Sequence, residues 1–179
     1  MDFPEAPEPE FVDIGAGDAR RAVAVRARPG GEPGIFWLGG FKSDMKGTKA
    51  VALDAFAARE ARACLRFDYS GHGESGGAFT EGTIGRWLEE SLAVFDRFCR
   101  GPQIVVGSSM GGWIALLLAR ALARRAAAEG AARLKGLVLI APAADFTEEL
   151  MWKRMPADVK ETLAREGTWL RPSAYDEAP

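Results

Sequence analysis

The sequence predicts an α/β domain, a mostly parallel sheet flanked by helices. Three observations lead there. Short apolar runs suited to buried strands alternate with longer runs of helical spacing. Of the 179 residues, 47% are hydrophobic and 27% charged, enough apolar mass for a sizeable core. A glycine-rich turn carrying serine, GSSMGG at 107–112, lies between a strand-like and a helix-like run. Repeated βα units with apolar strands imply a parallel sheet covered on both faces.

The elements follow in order. The start, MDFPEAPEPE, is acidic and proline-rich where a secretory signal would carry a basic patch and an apolar run, so no targeting segment is expected. Residues 21–28, RAVAVRAR, alternate with the two-residue period of a half-exposed strand, and PGGEP at 29–33 breaks it as a turn. IFWL at 35–38 is a continuously apolar strand. Alanine-rich residues 48–63, with Val51 and Phe56 at near-helical spacing, read as a helix. The alternation continues with strand 64–67, helix 83–99, strand 103–107, helix 111–125 and strand 137–140. Beyond Pro142 the pattern changes: residues 147–155 and 157–166 read as two short amphipathic helices separated by Pro156. No repeat or linker divides the chain, which is read as one domain over 1–179, with 146–179 as the start of a helical lid.

Composition excludes several functions. Lys and Arg number 23 against 25 Asp and Glu, a net charge of -2, so nothing steers the chain to nucleic acid or anionic lipid. The longest apolar run, 113–119, is far short of the roughly 20 residues of a membrane span. Cys64 and Cys99 are too far apart for zinc or redox spacing and sit in apolar runs; reduced, buried thiols and a cytoplasmic location are expected. The composition holds one histidine, His72.

The chemistry centres on GSSMGG. It matches the Gly-x-Ser-x-Gly nucleophile elbow, with Ser109 central, QIVV before it as a strand and WIALLLA after it as a helix. Its glycines leave room for a strained turn and close packing. A second match, GESGG at 73–77 around Ser75, lacks an adjoining strand and helix, so Ser75 is read as a loop residue. An acyl-transfer site needs oxyanion donors: one is the N–H of the residue after the nucleophile, Met110. The other comes from an early strand-to-helix loop, LGGFKSD at 38–44, whose glycine pair brings the N–H of Phe41 forward; ordinary turns use such pairs too. His72 precedes Ser109, whereas in this arrangement the order is Ser, acid, His. It reads as a polar residue tying its loop by hydrogen bonds.

Together LGGF, FDYSGHGES and GSSMGG, in that order, resemble the α/β-hydrolase superfamily. More narrowly, DMKGTKA (44–50), RFDYSGHGES (66–75), GPQIVVGSSMGGW (101–113) and GTWLRPSAY (167–175) look like the palmitoyl-protein thioesterase group. Its animal members are mitochondrial, and it includes enzymes described as acyl-glucuronide esterases. The resemblance runs from about residue 34 onward. It implies an α/β-hydrolase fold, Ser109 as nucleophile, Phe41 and Met110 as oxyanion donors, no metal or organic cofactor, and a small-molecule ester or acylated substrate. The family's acid and histidine lie after the lid, and no segment up to Pro179 matches them, so the C-terminal part of the fold is expected to be missing. Asp145 could be an acid in an unusual position, but it supplies no base. The expectation is a serine hydrolase of carboxylic esters or thioesters that shows little turnover as these residues alone. The alternative is an inactive fragment or a binding protein lacking the triad Asp and His. Leu150, Met151, Trp152, Met155, Val159 and Leu163 would either line a lid over an acyl pocket or pack on the sheet.

Overall fold

Among the described residues, six strands form one sheet in the order β1-β2-β4-β3-β5-β6. They are β1 (Glu10–Ile14), β2 (Arg21–Arg28), β3 (Gly31–Leu38), β4 (Arg62–Phe67), β5 (Pro102–Ser108) and β6 (Arg133–Ile140). Between them run α1 (Thr48–Arg59), α2 (Ile84–Phe98) and α3 (Met110–Leu122). The computed structural model describes residues 6–125 and 131–169; the 170–175 part of the late GTWLRPSAY run lies outside them. The chain divides into two compact units, Met1–Ala144 with the sheet and Asp145–Pro179.

β4, β3, β5 and β6 are mutually parallel, while β2 runs antiparallel to β4 and β1 antiparallel to β2. The parallel part is thus as the apolar runs predict, and the antiparallel pair is added at one edge. Side chains alternate across the sheet with the two-residue period of a strand. Ile35 and Trp37 of β3, Cys64 of β4 and Val106 of β5 pack with Ala50 and Ala57 of α1. On the other face Phe36 stacks on Phe67 at 5.7 Å and meets Phe95 of α2 edge to face at 5.3 Å.

Several boundaries differ from the sequence pattern. β1 begins at the end of the acidic, proline-rich start and lies in no run expected to be a strand; it exists because Val12 pairs with Val23 and, with Ile14, is buried. β2 is more than half buried, since strands flank it on both sides and Val23, Ala24 and Val25 are enclosed. β3 begins inside the segment read as a turn, Gly31 pairing with Arg62 ahead of an irregularity before Ile35. α1 stops at Arg59 and Ala61 turns to φ 51, so Arg62 and Ala63 join β4. Alanine alone does not separate a helix end from a strand start.

In the second unit the first expected helix is replaced by a wide π turn, Thr147–Met151, and a 3-10 turn, Trp152–Arg154. The second is α4 (Ala157–Glu166), entered from Pro156 and stopped by Gly167 at φ 72. Leu150, Met151, Met155, Leu163 and Trp169 line a cleft of about 630 Å³ within this unit.

Candidate active site

Parallel strands deliver their following loops to one edge of the sheet, where α/β folds build their sites. At that edge β5 ends at Ser108 and α3 begins at Met110, leaving Ser109 alone at the junction. Ser109 is exposed, with φ 54 and ψ -119, a backbone conformation that side-chain-bearing residues rarely adopt. Three hydrogen bonds hold it there. Its N–H donates to the Ile140 carbonyl at 3.0 Å, and its carbonyl accepts from Gly112 N–H at 2.9 Å and Ala143 N–H at 3.0 Å. A Cβ at Gly111 would fall on the carbonyl oxygens of Leu38 and Gly39, so only glycine lets α3 start against the end of β3.

The same close approach brings the loop after β3 to Ser109. A Cβ at Gly40 would stand 3.5 Å from Ser109 Cβ and 3.4 Å from the Ser108 carbonyl oxygen. The loop turns tightly, Ser43 N–H donating to the Gly40 carbonyl at 3.2 Å. Phe41 follows, its half-exposed ring edge-on to Phe79 at 5.0 Å. Met110 is the first residue of α3, and an N–H at that position has no acceptor inside its helix. The structure therefore brings Ser109, the Gly40–Phe41 peptide and the start of α3 to one place.

His72 lies elsewhere in the hydrogen-bond scheme. It is buried on the loop after β4, ringed edge-on by Tyr69, Phe79 and Trp87. Nδ1 faces the Ser70 carbonyl at 3.3 Å and Nε2 accepts from Lys42 N–H at 3.3 Å. Burial, the largest effect, lowers its pKa, against smaller opposing contributions from Ser70 and Glu90. Ser75 is equally committed, its Oγ donating to the Asp68 carbonyl at 2.6 Å and accepting from Ala24 N–H at 2.8 Å.

The sequence reading missed what stands behind the site. Asp68, buried, accepts from Met45 N–H at 2.6 Å and Glu74 N–H at 2.8 Å, joining the loop after β3 to the loop after β4. Desolvation raises its pKa in spite of those bonds. Arg66 donates to the Met45 carbonyl at 2.7 Å, and Tyr69 Oη to the Gly39 carbonyl at 3.4 Å. One signal was available: Arg66 and Asp68 are charged residues flanking Phe67 at the end of an apolar strand, where an ionic group needs buried partners. Further back, Glu90 of α2 accepts from Ser70 N–H at 2.9 Å and from Arg21 of β2.

A profile of the alpha/beta hydrolase family matches residues 29–179. The chain belongs to the α/β-hydrolase family. It is 39% identical over 155 residues to the Homo sapiens palmitoyl-protein thioesterase ABHD10, mitochondrial, an alignment covering 87% of this chain and 48% of that protein. The Mus musculus counterpart is 37% identical over 155 residues, with 87% and 49% covered. The chain thus spans about half the length of these curated relatives. Among solved structures, a protein of Agrobacterium vitis S4 superposes with TM-score 0.89 at 44% identity, covering 98% of this chain and 67% of that one. Alpha/beta hydrolase domain-containing protein 10 from mouse gives TM-score 0.77 at 34% identity, with 93% and 62% covered.

These relatives correct one expectation. The cysteines alone lead to the expectation of a cytoplasmic location, whereas the curated relatives are mitochondrial by name. The cysteines were uninformative for a physical reason. Both thiols are free and buried, and desolvation pushes each pKa up to about 12, so they are inert in any reducing compartment. Among the described residues no helix is long and apolar enough to cross a membrane.

Proposed function

We propose that this α/β-hydrolase chain carries the nucleophile and oxyanion site of a serine hydrolase that cleaves carboxylic esters or thioesters. The observation that carries it is Ser109, exposed in a strained turn between strand and helix with Gly40 against its Cβ. In this reading Ser109 Oγ attacks the acyl carbon while a base takes its proton, and the carbonyl oxygen gains the electron pair. Phe41 and Met110 N–H groups hold that oxyanion. Collapse expels the alcohol or thiol, which takes up a proton, and water then hydrolyses the acyl-enzyme in the same way. The names of the curated relatives support acyl thioesters, S-palmitoyl groups among them, as the substrate class. We read the helical unit from Asp145, with its apolar cleft, as the lid segment.

A second reading, a binding protein of the same fold without turnover, is favoured by one observation. The single histidine in these residues has its Nε2 engaged by Lys42 N–H. A fluorophosphonate probe on the full chain separates the two. Labelling that disappears in Ser109→Ala, with loss of acyl-thioester turnover by several orders of magnitude, supports the first. Absence of labelling in a folded chain, or labelling at Ser75, supports the second.

A further inference from the structure

We propose that His72 is a positioning residue that sets the oxyanion loop, holding the Phe41–Lys42 peptide from behind through the hydrogen bond from Lys42 N–H to Nε2. This rests on the serine-hydrolase reading above.

Phe41 is flanked by two planar peptide units, and its φ and ψ are the rotations between them. The first unit joins Gly40 to Phe41 and carries the N–H assigned to the oxyanion. Its carbonyl, Gly40 C=O, is tied to Ser43 N–H at 3.2 Å. In a trans peptide the C=O and N–H point in opposite directions, so this bond sets the line along which the Phe41 N–H points. The second unit joins Phe41 to Lys42, and its N–H donates to His72 Nε2 at 3.3 Å. With both units anchored, neither rotation at Phe41 is free. Lys42 itself stands at φ 54, which L residues disfavour, and a hydrogen bond at that residue offsets the strain.

An anchor works only if it is itself fixed, and His72 is. It is 5% exposed, and its ring is walled by Tyr69 at 5.7 Å, Phe79 at 5.1 Å and Trp87 at 5.1 Å between centroids. Its main chain is bonded as well, N–H to the Tyr69 carbonyl and C=O from Ser75 N–H, both at 3.0 Å. Nδ1 faces a carbonyl and Nε2 faces an N–H, so only the neutral tautomer protonated at Nδ1 satisfies both ends. The lowered pKa agrees with a ring kept neutral. A phenyl ring would fill this aromatic nest equally well but would leave Lys42 N–H without its acceptor.

The test compares His72→Phe with His72→Gln in a form of the protein with measurable acyl-thioester turnover, against wild type and Ser109→Ala. Two readouts are taken: kcat and KM on an acyl thioester, and hydrogen exchange at the Lys42 amide. His72→Phe is expected to lower kcat by about 10- to 100-fold, as a displaced oxyanion donor does, with KM within about 3-fold and faster Lys42 exchange. His72→Gln, whose Oε1 can reach the same N–H, recovers most of kcat and of the protection. Should His72→Phe not fold, His72→Asn replaces it, since asparagine reaches only the Ser70 side of the ring's position. Unchanged kcat and exchange in the Phe variant, or equal losses in both variants, overturn the proposal. If wild-type turnover survives Ser109→Ala, the hydrolase reading falls instead, and Lys42 exchange alone decides whether His72 holds the loop.

Discussion

Replacing Ser109 by glycine should stabilise the protein and, in the proposed hydrolase, abolish turnover, and comparison with Ser109→Ala isolates why. Ser109 sits at φ 54 and ψ -119, and a residue forced into such a region costs about 1–3 kcal/mol. Alanine keeps the Cβ and hence the strain; its hydroxyl loss costs little, because Ser109 is exposed. Glycine removes the strain but gives the unfolded chain more freedom, a cost of roughly 0.5–1 kcal/mol. The three backbone hydrogen bonds to Ile140, Gly112 and Ala143 are retained in both variants. The glycine variant should therefore exceed the alanine variant by about 1 kcal/mol, which for a chain of this size raises Tm by roughly 2–4 °C. Urea melts followed by circular dichroism measure the difference directly. A glycine variant less stable than the alanine variant would refute the reasoning, because the turn would then store no strain.

Two further outcomes are expected. Gly40→Val should lower turnover by about 10²-fold, since a methyl there just touches Ser109 and valine's branches go further; Phe41→Leu, which keeps the backbone N–H, should be mild, and steady-state kinetics on an acyl thioester checks both. Because burial lowers the His72 pKa below the unfolded value of about 6.5, the unfolded chain binds more protons in that window. Stability should fall as pH drops from about 7 through the folded-state value, with Glu90 partly opposing, and urea midpoints across pH should show a flatter slope in His72→Gln.

The strand-to-helix turn at Ser109 is legible in sequence because its constraints are local: two glycines and a serine with an apolar strand on one side and an apolar helix on the other. Phe41 could be placed beside it only through the order of elements. β1 was not legible, since EFVDI has little pattern of its own and gains its identity from pairing with β2. The bracing by Arg66, Asp68 and Tyr69 shows in the sequence only as charges at the end of an apolar strand, without their partners. Those bonds cross from one strand's loop to another's, and no spacing along the chain encodes which N–H a carboxylate will meet. His72 ties its own turn, as its loop setting implies, through Ser70, Tyr69 and Ser75; its further partner, Lys42, belongs to a different loop that no local pattern names.

The bonds from Ser109 to Ile140 and Ala143 also bear on the order of assembly. A strained turn has no reason to persist in a chain whose first five strands alone have come together, because two of the three bonds that hold it belong to a later strand and its loop. The unusual backbone of Ser109 therefore depends on β6 being in place, for without that strand and its loop the turn keeps one of its three bonds and is free to relax.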